Sequence, residues 1–156
     1  MDAATRQQLI DTYRDGIAEV DKALAGATDE ELDRRPTDDA WTAREVAHHL
    51  ADSETMSTIR LRRLLAEDGP LIQAYDEVEY ARRLHYDRPI EQSIALFGAV
   101  RSANLELLAQ LTAADWARTG THSDDGPYSV ERWLEIYAAH GHDHADQIRR
   151  AREGRL

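Results

Sequence analysis

No cysteine occurs among the 156 residues. Its absence excludes disulfides, thiolate metal sites and cysteine nucleophiles together, and leaves histidine and carboxylate as the strong metal ligands. Positive charge is scarce: 19 Lys and Arg, of which only Lys22 is a lysine, stand against 30 Asp and Glu, a net charge of −11. That balance argues against nucleic acid and against an anionic membrane surface, because both are held mainly by basic side chains. No apolar run approaches the roughly 20 residues of a membrane span. The opening Met1-Asp-Ala-Ala-Thr-Arg6 has no apolar signal core. The expectation is a cytoplasmic protein whose partner is a small-molecule substrate. Internal repeats and low-complexity tracts are missing as well.

What is present suits an ordinary globular chain, with 42% hydrophobic and 31% charged residues. The length predicts a single domain over 1–156, long enough to bury a core without covalent staples. Four long amphipathic stretches dominate. Leu9, Tyr13, Ile17, Val20 and Leu24 recur at helical intervals and predict a helix from about Thr5 to Leu24, closed by Gly26. Thr28 to Glu31 is a capping box for a short turn that stops before Pro36. A second box, Thr42 to Glu45, opens a long helix to about Glu67, with Val46, Leu50, Ser53, Ser57, Leu61 and Leu64 on one side.

Asp68-Gly-Pro70 breaks that helix, and the weakly patterned Leu71 to Arg88 reads as a loop with a helical turn near Asp76 to Leu84. Pro89 suits the first position of a third long helix reaching Leu111. Thr112 to Trp116 reads as a short capped turn, and Thr119 to Tyr128 as a loop with at most a little extended structure. Ser129 caps the fourth long helix, which frays after Ile148. The fold class expected is all-α, a four-helix bundle with two longer connections, and bundle cores commonly hold metal sites built from facing helices.

Histidine is where the pattern turns to chemistry. His140 and His144 lie four apart, one turn on one helix face. Turning each residue by about 100° puts both on one flank of the last stripe and His142 on the other. On the second long helix, His49 falls about 80° from the stripe's centre, at an edge that can reach inward. His48 points away from the core. Helical phase thus selects His49, His140 and His144, with His48 and His142 as surface or supporting residues. Periodicity alone leaves two readings open: a three-histidine metal site, or hydrogen-bonded histidines without a metal. His85 and His122 carry no partner spacing, and the arginines of Arg60-Leu-Arg-Arg63 read as a solvated helix face.

Trp41-Thr-x-Arg-x-Val-x-His-His-Leu-Ala-Asp-Ser53, with the arginine-rich helix that follows, resembles the DinB-like superfamily and, within it, the YfiT-type metal-dependent hydrolases. Ala74-Tyr-Asp-Glu77 is similar to that group's Pro-Tyr-Asp-Glu segment, and Leu134 to Ile148 to its last helix. The resemblance implies a four-helix bundle, a homodimer, and a zinc or nickel ion held at positions matching His49, His140 and His144. It also implies either hydrolysis or transfer of a low-molecular-weight thiol to an electrophile. The alternative is a non-catalytic, stress-associated metal-binding bundle. Asp52 and Glu45, one turn either side of His49, are candidates to orient an imidazole through its other nitrogen. No serine, lysine or carboxylate stands out as a nucleophile, so the catalytic residues are unassigned. For histidines with ordinary pKa values, metal affinity is expected to fall between about pH 7 and pH 5.

Overall fold

The computed structural model describes all residues from Met1 to Leu156. Four long helices, α1 (Ala3–Leu24), α3 (Ala43–Ala66), α5 (Glu91–Leu108) and α7 (Val130–Arg152), make the bundle. Their connections hold three short helices, α2 (Asp29–Leu32), α4 (Glu77–Arg83) and α6 (Ala113–Trp116). They also hold three strands, β1 (Leu71–Ile72), β2 (Thr119–His122) and β3 (Gly126–Ser129). No helix is long and apolar enough to cross a membrane.

Local chemistry sets the helix starts. Asp2 accepts from the Thr5 amide and begins α1 two residues before the expected Thr5. Thr42 and Glu45 close a reciprocal capping box on α3, and Ser129 accepts from the Arg132 amide at the head of α7. Each satisfies amides that a helix leaves without internal partners. Pro89 lies outside the third long helix rather than at its first position, because Ile90 takes the cap. The helix near Asp76 is present as α4, capped by Asp76 itself.

α1 packs mainly on α7, and α3 packs on both α5 and α7. Two apolar clusters result. One gathers Tyr13, Leu61, Leu64, Trp133 and Leu134; the other gathers Val20, Leu50, Phe97 and Ile148. Arg101 joins them, its guanidinium 4.2 Å from the Tyr13 ring centre and 4.7 Å from that of Phe97. It is fully buried and pairs with the equally buried Glu54 at 2.9 Å. Burying two charges costs several kcal/mol for each ion unless other bonds compensate. Here they do: Arg101 also donates to the Tyr13 and Tyr137 carbonyls, both at 2.7 Å, and Glu54 accepts from Tyr13 and Ser57 hydroxyls.

The two long connections meet and differ from the expected loops. β2 and β3 form an antiparallel hairpin, and β1 adds to β2 in parallel. Thr121 and Ser123 donate to the Pro70 and Ile72 carbonyls, which ties the hairpin to the segment after α3. One polar side and one buried side are present, but Thr-Gly-Thr-His offers no apolar alternation by which to read a strand.

Candidate metal centre

α3 carries His49, and α7 carries His140 and His144 one turn apart. The packing of these two helices brings one ring nitrogen from each of the three within 4.8 Å of the others. Ring centres lie 4.4 Å apart for His140–His144, 4.8 Å for His49–His144 and 5.5 Å for His49–His140. Nε2 of His140 and Nε2 of His144 face each other at 3.2 Å. On the far side of its ring, Nδ1–H of His144 donates to Gln147 Oε1 at 2.7 Å, which leaves Nε2 with a free lone pair.

The surroundings suit neutral rings. Burial pushes the His49 pKa down to about 3, and the neighbouring His144 adds to the effect. Burial also holds His140 well below the usual histidine range and lowers His144, the latter opposed by Gln147. No carboxylate is hydrogen-bonded to the triad, and Asp143 acts on His144 only through space. Nδ1 of His49 and Nδ1 of His140 are buried without any hydrogen-bond partner, and Ser53 Oγ stands 3.5 Å from His140 Nε2. A buried ring nitrogen without a partner is unfavourable, and a cation held between the three rings would take up the lone pairs that face it. The donor set, all imidazole and all neutral, suits zinc or a first-row transition metal rather than magnesium or calcium.

His48 requires a correction. It is fully buried, not turned to solvent. Its Nδ1 meets Ser93 Oγ at 2.8 Å and its Nε2 donates to the Arg88 carbonyl at 2.9 Å. The reason is packing: α5 and the segment leading into it cover the side of α3 opposite the core. Asp52 does not support an imidazole either; it accepts from the Tyr86 hydroxyl at 2.7 Å. Glu45 caps α3 and pairs with Arg35. His142 donates to the Thr12 carbonyl on α1. Trp41 sets its ring nearly perpendicular to His49 at 5.1 Å.

A cavity of about 290 Å³ opens beside the triad, lined by Ser53, Arg60, Tyr75, Tyr128, Tyr137 and His140 among others. Arg60 is thus not on a solvated face. It reaches across to donate to the Tyr137 hydroxyl at 3.0 Å and the Gln73 carbonyl at 3.2 Å. His122 is buried in the same wall, its Nδ1 accepting from the Asp124 and Asp125 amides. A larger depression of about 400 Å³, near Arg35, Arg44 and His85, touches no triad residue. Its arginines are occupied: Arg44 pairs with Asp29 and Asp33, and Arg35 with Glu45.

Three histidines converging from two facing helices of a four-helix bundle make an arrangement suited to a metal site. This chain belongs to the DinB superfamily, whose family model matches residues 12–148. A protein of Oceanobacillus iheyensis named "putative metal-dependent hydrolase" is 40% identical over 119 residues, covering 76% of this chain and 69% of its own. One of Halalkalibacterium halodurans with the same name is 32% identical over 130 residues, covering 83% and 76%. The solved structure of YfiT from Bacillus subtilis superposes with a TM-score of 0.89 at 30% identity, covering 95% of this chain and 86% of that one. It is described as a probable metal-dependent hydrolase with an unusual four-helix bundle topology.

Proposed function

We propose that His49, His140 and His144 hold one divalent ion, zinc or nickel, and that the protein is a metal-dependent hydrolase of a small molecule. The observation that carries this reading is the meeting of three neutral imidazoles, two of them with a buried, unpartnered Nδ1, beside a cavity that His140 lines. An ion held by three neutral ligands keeps its full +2 charge and acidifies water or a thiol bound in an open position. The chain's residues supply the rest. Gln147 fixes the tautomer of His144. Trp41 packs its ring edge-on against His49 and restricts that side of the site. Tyr137, edge-on to His140 with ring centres 5.7 Å apart, joins the triad to the cavity wall.

The test is titration of chelator-treated protein with zinc and with nickel. One ion per chain is expected, with stoichiometric binding lost in His140→Ala. Absence of binding, or binding indifferent to that change, would sink the reading. Loaded protein is then assayed on small esters and amides with and without a low-molecular-weight thiol. Turnover without thiol supports hydrolysis, and a strict thiol requirement would identify a thiol S-transferase instead. An ion held tightly with no turnover in either arm would favour the non-catalytic bundle.

A further inference from the structure

The cavity beside the triad has a one-sided hydrogen-bonding character. Arg60 donates both of its described bonds to neutral oxygens, those of Tyr137 and Gln73, and its buried Nε–H has no acceptor. On the same helix Arg63 forks onto Glu67, whereas Arg62 donates to Thr58 and Asn104. Tyr75 and Tyr128 each present a buried hydroxyl that completes no hydrogen bond, although Ser53 lies near the first and Arg60 near the second. The Tyr137 hydroxyl accepts from Arg60, which leaves its own proton to donate. One guanidinium and three phenols therefore line a single space with donors to spare.

Such an arrangement is costly when nothing fills it. A buried donor without a partner costs about 1–3 kcal/mol, and no carboxylate is hydrogen-bonded to this guanidinium, Glu77 acting on it only through space. A bound oxyanion would answer all four groups, because a carboxylate offers about four lone-pair sites and takes arginine by charge-assisted bonds. The exposed acidic side chains of Glu77, Asp124 and Asp125 also line the cavity. They disfavour a multiply charged anion such as a phosphate monoester and tolerate a single negative charge that reaches Arg60. They would also accept an amine on the remainder of the same molecule.

We propose that this cavity is a carboxylate-binding subsite: Arg60, Tyr75, Tyr128 and Tyr137 hold the single carboxylate of a small substrate and direct the rest of it toward His140. The inference rests on the triad being the reaction centre only for the direction in which the substrate points. Carboxylate capture itself needs no metal, so it can be measured apart from metal binding.

The experiment follows backbone and tyrosine ring signals of metal-free, chelator-treated protein by NMR during titration with propionate, propionamide and inorganic phosphate. Propionate should shift signals of Ala74, Tyr128 and Tyr137, with propionamide and phosphate far weaker. Arg60→Met should weaken propionate binding about tenfold or more, the loss of a charge-assisted bond. Tyr128→Phe, which removes only an unpartnered hydroxyl, should keep the fold and weaken propionate about threefold. Equal binding of propionamide, tighter binding of phosphate, or shifts mapping elsewhere would overturn the proposal. So would unchanged affinity in Arg60→Met or, should that variant not fold, in Tyr128→Phe. Zinc titration of the same variants separates the two readings: parent-like zinc binding in Arg60→Met with propionate lost supports the subsite. Parent protein that binds propionate but no zinc overturns the metal reading and leaves the subsite standing.

Discussion

Burial, rather than a proton acceptor, keeps the three converging imidazoles neutral, and only Gln147 engages any of their outer nitrogens. His48, one residue from His49, is buried as well but spends both nitrogens on Ser93 and the Arg88 carbonyl. The two neighbours should therefore fail differently when replaced. His49→Ala should cost several kcal/mol of metal binding, against about 10–16 for complete structural zinc sites. His48→Ala should leave metal affinity near the parent value and lower folding stability by about 1–3 kcal/mol, because Ser93 and the carbonyl lose their partner. Paired metal titration and urea unfolding measure both. A metal site emptied by His48→Ala would show that the register of α3 has been misassigned. Helical phase was enough to separate His49 from His48 in the sequence, since a step of about 100° depends on nothing else. The fate of His48 was not legible there. A wheel assumes one wet face, whereas the first half of α3 is buried nearly all round, from Ala43 and Arg44 through His48 to Ala51.

Helices α1 and α7 approach closely beside Arg101, at Gly16 and Gly141. A Cβ built on Gly141 would stand 2.9 Å from Arg101 Nη1 and 3.2 Å from the Gly16 Cα, with backbone on one side and a pinned guanidinium on the other. Alanine normally improves a helix interior over glycine by roughly 1 kcal/mol. At Gly141 overpacking should win, for a net loss of about 1–3 kcal/mol. Gly98 on α5 is the control, since its Cβ would meet nothing nearer than Ile17 Cγ2 at 3.8 Å. Gly98→Ala should stabilise by about 0.5–1 kcal/mol. Opposite signs in urea unfolding are expected, and two stabilising changes would mean that Arg101 yields at little cost. The four helices were readable because their apolar stripes and caps agree, as at Thr42-Ala-Arg-Glu45. The hairpin and the cavity wall were not. Their residues, Arg60, Tyr75 and Tyr128, come from an arginine-rich helix and two weakly patterned connections, and only the docking of β2 on β1 assembles them.

For the whole molecule, two apolar clusters and a satisfied buried ion pair hold the bundle independently of the triad. Chelation should therefore lower the melting temperature, by loss of the binding contribution to the folded state, while helical circular dichroism at room temperature stays within about a tenth of its loaded value. Collapse of the helical signal would place the folding energy in the metal.

Acid tests the same independence from the other direction. An unfolded histidine takes its proton near pH 6.5, but burial delays that step in the folded chain for His48, His49, His140 and His144, down to about 3 for His49. Between those values the unfolded state binds more protons, so stability is complete above about pH 6.5 and falls as pH drops toward the folded pKa, by up to about 1.4 kcal/mol per unit for each group. Carboxylates such as Glu19, held down to about 2 by hydrogen bonds from Lys22 and Arg149, add their loss only below the ordinary carboxylate range. The window from pH 6.5 to 5 thus reports the histidines. Protons also compete for the metal less than free imidazoles would allow, which replaces the expected loss of affinity between pH 7 and 5. Metal should stay bound while the bundle stays folded and leave as it opens. Metal retention after dialysis and helical signal, followed together from pH 7.5 to 4, should fall along one curve. Metal lost near pH 6 from an intact bundle would show that burial does not protect these imidazoles.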